Sequence, residues 1–165
     1  MTSDPKNSGE EITLPTALQK SVQDQHELLG TYRLVSSSRT IVATGEVIDS
    51  FGENPLGFIM YGENHRMMVI IVRRGRPRIE LTDMSDQQRV ELFRSMAAYG
   101  GRYTFDGKKI THHIEMSWNE ILTGTDVVRE VERDGNRLIY RSDPGPSPTD
   151  GTVRTGTLIW EKVDG

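Results

Sequence analysis

From Gly30 onward the chain reads as a succession of short strand-like runs, each closed by turn-forming residues, and no feature narrows the fold more. The runs cover residues 31–39, 40–48, 56–61, 66–73, 103–105, 108–118, 126–133, 136–142 and 155–163, rich in alternating or β-branched residues. Asp106-Gly107 and Asp134-Gly135 separate two pairs of them, and Asp-Gly between strands signals a hairpin of type I′, whose central residues need positive φ. Gly62-Glu63-Asn64-His65 punctuates a third pair. The stretch 143–151, with three prolines and two glycines, has no regular pattern and reads as a long surface loop.

Two segments have helical spacing instead. Leu14, Leu18, Val22, His26 and Leu29 recur every three or four residues, and Gly30 stands at the C-cap position. This predicts a helix over 14–29 that plugs the base of the β structure, with a movable lid or an oligomer contact as alternatives. Residues 1–13 are Ser-, Asp- and Asn-rich and read as a disordered tail. Further on, Ser85 and Gln88 form a capping box, Val90, Phe93, Met96 and Ala97 share a face, and Gly100-Gly101 ends the pattern. The expected organisation is tail (1–13), helix (14–29) and one all-β domain (30–165). About eight antiparallel strands meander through it and either pack as a sandwich or close into a barrel; closure, which removes exposed edges, is the favoured reading.

Composition agrees and excludes several classes. The 165 residues suit one domain. A net charge of −4 supplies no general field for a nucleic-acid backbone, so we expect no nucleic-acid partner. No apolar run approaches the ~20 residues of a membrane helix. The first thirty residues lack the pattern of a secretory signal, and there is no cysteine. A cytoplasmic protein without disulfide or thiolate chemistry is the expectation.

Strand periodicity sorts 108–118 into two faces, Ile110, His112, Ile114, Met116 and Trp118 against Thr111, His113, Glu115 and Ser117. Alternation alone leaves open which of them faces the interior, because a ligand-holding barrel can carry polar residues in its lumen. In 126–133, Arg129 travels with Val127 and Val131. An arginine facing inward among valines requires a carboxylate partner or a bound anion, and Glu115, one strand away, is a candidate. Residues 66–73 are apolar on both faces, as for a strand lining a cavity on one side, with Met67 and Val69, and covered by a helix on the other.

Few motifs carry chemistry. His112 and His113 point to opposite faces and do not suit one metal ion, so no metal is expected. His113 either bonds Glu115 or a neighbouring carbonyl, or serves as an acid, base or ligand contact. Tyr61, Tyr103, Tyr140, Trp118 and Trp160 either pack the core or line a cavity. Neither phosphate-binding glycine motifs nor a Gly-x-Ser-x-Gly elbow occurs, and no cofactor is expected. The cluster Arg73-Arg74-Gly75-Arg76-Pro77-Arg78 reads as a solvated loop, with an anionic ligand or partner as the alternative.

Several short segments resemble, in order and spacing, the lipocalin-like domain family of small bacterial and fungal calycin-type barrels. They are Leu29-Gly30-Thr31-Tyr32-Arg33-Leu34-Val35, Asn54-Pro55-Leu56-Gly57-Phe58-Ile59-Met60-Tyr61, Tyr99-Gly100-Gly101-Arg102-Tyr103, His112-His113-Ile114-Glu115-Met116-Ser117, Gly124-Thr125 with Arg129, and Leu158-Ile159-Trp160-Glu161. One departure is Tyr32, where lipocalin-type barrels have Trp; its hydroxyl needs a partner. The resemblance implies a cavity that binds a hydrophobic small molecule. Alternatively, it implies a cofactor-independent cyclase or isomerase acting on a polyketide- or terpenoid-type intermediate in natural-product biosynthesis. It further implies a luminal location for His113, Glu115, Ser117 and Arg129. In the enzymatic version His113 or Glu115 moves a proton and Arg129 or Tyr103 stabilises oxyanion charge. Tyr61, Met67, Val69, Ser117, Trp118, Tyr140 and Trp160 are the expected ligand contacts. A homodimer, or a protein-interaction module using the first helix and the Arg73–Arg78 loop, completes the expectations.

Overall fold

The computed structural model describes residue 16, residues 26–147 and residues 150–163. The expected tail and most of the expected first helix lie outside these residues. Of that helix, the described residues 16 and 26–28 are helical, and Leu28 is wholly buried.

Among the described residues ten strands form one antiparallel sheet: β1 (Gly30–Ile41), β2 (Val47–Asp49), β3 (Leu56–Tyr61), β4 (Arg66–Val72), β5 (Met96–Phe105), β6 (Lys109–Ser117), β7 (Asp126–Asp134), β8 (Arg137–Arg141), β9 (Gly145–Pro146) and β10 (Val153–Lys162). Their order is β2-β1-β3-β4-β5-β6-β7-β8-β10-β9, and β1 also pairs with β10, which closes eight strands into a barrel. The two short strands are accessory. β2 folds back on β1 (so the run 40–48 is a hairpin, not one strand), and β9 is a two-residue pairing inside the loop after β8.

Turn chemistry fixes the register. The pair Asp134↔Arg137 leaves Gly135 and Asn136 as central residues, and only Gly135 has positive φ, 59°. That is the pattern of a type II′ turn, correcting the expected type I′. At the β5–β6 turn the Asp106 carboxylate accepts from the backbone N–H groups of Lys108 and Lys109 at 2.9 and 2.6 Å. His65 closes the β3–β4 turn in the left-handed region, φ 58°.

The one full helix among the described residues, α1 (Asp86–Arg94), begins at the predicted capping box: Gln88 N–H donates to Ser85 Oγ, and Ser85 N–H to Gln88 Oε1. It ends earlier than its apolar spacing suggests. Ser95 caps it, and Met96 and Ala97 already pair with Val72 and Ile71 of β4. The ladder offered by the apolar run Met67–Val72 of β4 outweighs helical periodicity here, so Gly100-Gly101 lies inside a strand.

Gly101 faces a bulge. Gly101 pairs with Ile114 and Gly100 with Met116, leaving Glu115 as an extra residue in β6. Parity therefore reverses after Ile114. Ile110, His112 and Ile114 point inward and are buried, but Met116 is outward and 59% exposed, while Ser117 pairs with the inward Tyr99. The two-face sorting of 108–118 holds only up to the bulge. On β3 and β4 the outward Phe58, Met60, Met68 and Ile70 are each close to half exposed. The helical cover expected over β4 is thus not found among the described residues.

The core occupies one end of the barrel, where Leu28, Tyr32, Tyr61, Met67, Tyr103, Ile110 and Leu138 are buried together. The opposite end, framed by Arg39, Ala97, Trp118, Val127 and Gly156, opens into a cavity.

Candidate functional site

The cavity holds about 250 Å³, room for roughly eight waters at ~30 Å³ each. Inward positions of β3, β4, β7 and β10 supply its apolar wall: Ile59, Val69, Ile71, Val127 and Leu158, with Phe51 from the segment after β2. Trp118 is steadied at the rim, its indole N–H donating to the Phe93 carbonyl at 3.3 Å and its ring lying 6.0 Å from that of Phe93.

A polar chain crosses the cavity wall. Tyr140 donates to the Tyr61 hydroxyl at 2.9 Å; Tyr61 lies 2.8 Å from His112 Nε2; His112 Nδ1 lies 3.1 Å from the Tyr99 hydroxyl. One arrangement satisfies these groups in series: Tyr61 donates to Nε2, and the neutral imidazole donates from Nδ1 to Tyr99. The Tyr99 hydroxyl proton then remains for the cavity. Burial, assisted by the charges of Arg129 and His113, pushes the His112 pKa down to about 3, so the ring is neutral at ordinary pH. Burial raises Tyr99 to about 12 against the opposing effect of Arg129, and raises Tyr61 and Tyr140 as well.

Arg129 lies where its spacing put it, inward between Val127 and Val131 and lining the cavity. Glu115 is not its partner. The bulged Glu115 sits on the outer wall, bound by Arg66 and, at 3.0 Å, by Arg102. Burial lowers the Arg129 pKa, with Arg39 adding to the effect, although a guanidinium keeps its charge throughout. Trp160, which is wholly buried and lines the same cavity, has an indole N–H without a partner among the described residues.

The lipocalin-like domain family matches residues 29–163, which contain the whole barrel. The chain belongs to the lipocalin-like domain family. No curated protein matches the chain.

Within this lipocalin-like barrel the site residues expected from the sequence divide four ways. Val69, Trp118, Arg129, Tyr140 and Trp160 line the cavity. Tyr61, Met67 and Tyr103 are buried in the packed end; the Tyr103 hydroxyl donates to the Gly62 carbonyl at 3.3 Å. Ser117 is directed inward past the bulge but its hydroxyl is used on the Ala98 carbonyl, 3.3 Å away. The luminal location implied for His113 and Glu115 is corrected. His113 faces outward with Thr104 at 3.1 Å and Asp126 at 2.8 Å, and neither residue lines the cavity.

Sequence reasoning passed over Arg39, Tyr99 and, as a luminal group, His112. For His112 the signal was its place between Ile110 and Ile114. Arg39 was concealed by a second bulge: Leu34 pairs with Trp160 but Ser36 with Ile159, so alternation counted from Tyr32 fails beyond Val35.

No helix among the described residues is long and apolar enough to cross a membrane.

Proposed function

We propose that this lipocalin-like barrel binds a small hydrophobic molecule in its lumen. The observation that carries the reading is the cavity of about 250 Å³ at the open end, apolar over most of its wall and edged by a few convergent donors. A mostly apolar concavity with few placed polar groups is the usual form of a ligand site. Its volume falls slightly short of the ~300 Å³ at which pockets for drug-sized molecules begin, which points to a ligand of one ring system or a short acyl chain. Conversion of a bound intermediate draws less support, because His113 and Glu115 stand outside and His112 is held neutral and weakly basic.

The test is binding of N-phenyl-1-naphthylamine, an uncharged dye whose fluorescence rises in apolar surroundings. Saturable binding at one site is expected for the wild type. Ala97→Trp, which fills the lumen from β5, should weaken it at least ~tenfold while the far-ultraviolet dichroism stays that of the barrel. Absence of saturable binding in the wild type, or equal binding by a folded Ala97→Trp variant, overturns the proposal.

A further inference from the structure

Two arginines at the open end have no counter-charge among the described residues. Arg39 and Arg129 line both the lumen and the groove beside it, under the loop after β8. Among the described residues neither forms an ion pair. Among the described residues the one hydrogen bond of the Arg129 guanidinium is Nη1 donating to the neighbouring Val128 carbonyl at 2.8 Å. Arg154, the third arginine of the groove, is paired with Asp150 at 2.6 Å, and Asp143, which also lines the groove, is in ion-pair contact with neither Arg39 nor Arg129.

The strand register explains how two like charges come to face one space. Arg39 of β1 pairs with Gly156 of β10. Gly156 in turn exchanges hydrogen bonds with Ser142, its N–H donating to Ser142 Oγ at 2.7 Å and its carbonyl accepting from Ser142 N–H at 2.9 Å. Arg141↔Glu130 sets Ser142 beside Arg129. The row across the barrel is thus Arg39, glycine, serine, Arg129. The two middle positions carry almost no side chain, leaving a gap flanked by guanidinium groups. A cation facing apolar wall without a partner is costly, and two together add repulsion. An anion in the gap relieves both costs.

We propose that the luminal ligand is a small hydrophobic carboxylic acid, its carboxylate held between Arg129 and Arg39 and its apolar body lying against Ile59, Val69 and Leu158. The Tyr99 hydroxyl, left with a free proton by the His112 chain, is the third donor near the headgroup. Arginine suits this task because its planar fork matches the two carboxylate oxygens. The assignment rests on the lumen-binding reading above and specifies the chemical class of its ligand.

The experiment compares octanoate with 1-octanol as competitors of N-phenyl-1-naphthylamine at neutral pH. For the wild type, octanoate should displace the dye at a concentration at least ~tenfold lower than 1-octanol does, an advantage of charge-assisted bonds. Arg129→Gln and Arg39→Gln should each weaken octanoate about tenfold and leave 1-octanol within about twofold. Added salt should weaken octanoate alone. If a misfolded Arg129→Gln lost both competitors, the exposed Arg39 would decide the matter through Arg39→Gln. Equal potency of the two competitors in the wild type, or an unchanged octanoate preference in both variants, overturns the headgroup assignment while dye binding leaves the lumen reading standing. Failure of the dye and both competitors to bind overturns the two together.

Discussion

A Cβ placed on Gly101 would lie 2.0 Å from the carbonyl oxygen of His113, across the bulge that Glu115 makes in β6. That contact is with backbone on both sides, so no side-chain adjustment relieves it. Gly101→Ala should therefore cost at least ~3 kcal/mol or prevent folding, the scale of a severe backbone clash. Gly100→Ala is the comparison: its Cβ would meet the Met67 carbonyl at 3.3 Å and otherwise flexible methionine side chains. A loss within ~1 kcal/mol is expected there, partly offset by the stiffer unfolded chain. Urea unfolding of the two variants checks the contrast. Similar losses at both positions would mean the bulge is not where the register puts it.

Tyr32 makes a second, opposite prediction. Its hydroxyl is buried and has no partner among the described residues, while its ring packs edge-on to Tyr61 at 6.4 Å. Burial raises its pKa, as expected for a hydroxyl removed from water. Tyr32→Phe keeps the packing and removes an unsatisfied polar group. Stability should stay the same or rise by up to ~1 kcal/mol in thermal or denaturant unfolding. A loss beyond that range would reveal a partner for the hydroxyl, such as an ordered water.

These two residues also mark how far the sequence could be read. Turn dipeptides and strand runs gave an antiparallel barrel because hairpin chemistry is local, and Asp134-Gly135 needs no distant neighbour to bend the chain. The inward face was not legible because it depends on closure and bulges, which are properties of strand pairs. Counting by twos from Ile110 puts Met116 inside, but Glu115 breaks the count, and Val35 does the same before Arg39. The one sequence trace of the first bulge was Gly100-Gly101, since glycine inside a strand marks close backbone approach as well as a helix end. Arg129 was legible as an inward cation. Its intended partner was not, because Glu115 is diverted to the outer wall.

The outer position of His113 and Glu115 is itself testable. The double variant His113→Ala/Glu115→Gln should bind N-phenyl-1-naphthylamine within about twofold of the wild type, since neither side chain borders the cavity. Its stability should fall by no more than ~1 kcal/mol, because the pairs with Asp126, Arg66 and Arg102 are largely exposed and screened by solvent. A tenfold loss of dye binding in a folded double variant would require these residues to act on the lumen after all.

His112 supplies the pH dependence. Enclosed by Tyr61 from β3, Tyr99 from β5 and Arg129 from β7, its imidazole takes up a proton in the folded chain only near pH 3, chiefly because burial opposes the charge. In the unfolded chain it protonates near the ordinary value of ~6.5. Between these values the unfolded state binds more protons, so stability is greatest above pH 6.5 and falls as the pH is lowered, by up to ~1.4 kcal/mol per unit. Asp106, Asp150 and Glu161, whose pKa values are also lowered, add their own losses only nearer pH 4 and below. The interval from pH 6.5 to 5 therefore separates His112 from the carboxylates. His112→Gln should be less stable at pH 7 by about 1–3 kcal/mol, as its tyrosine partners lose well-placed bonds. Its stability should decline less steeply than the wild type's from pH 6.5 to 5, measured by urea unfolding at each pH. Parallel declines in the two proteins would place the titrating group elsewhere and return His112 to a purely structural hydrogen-bonding role.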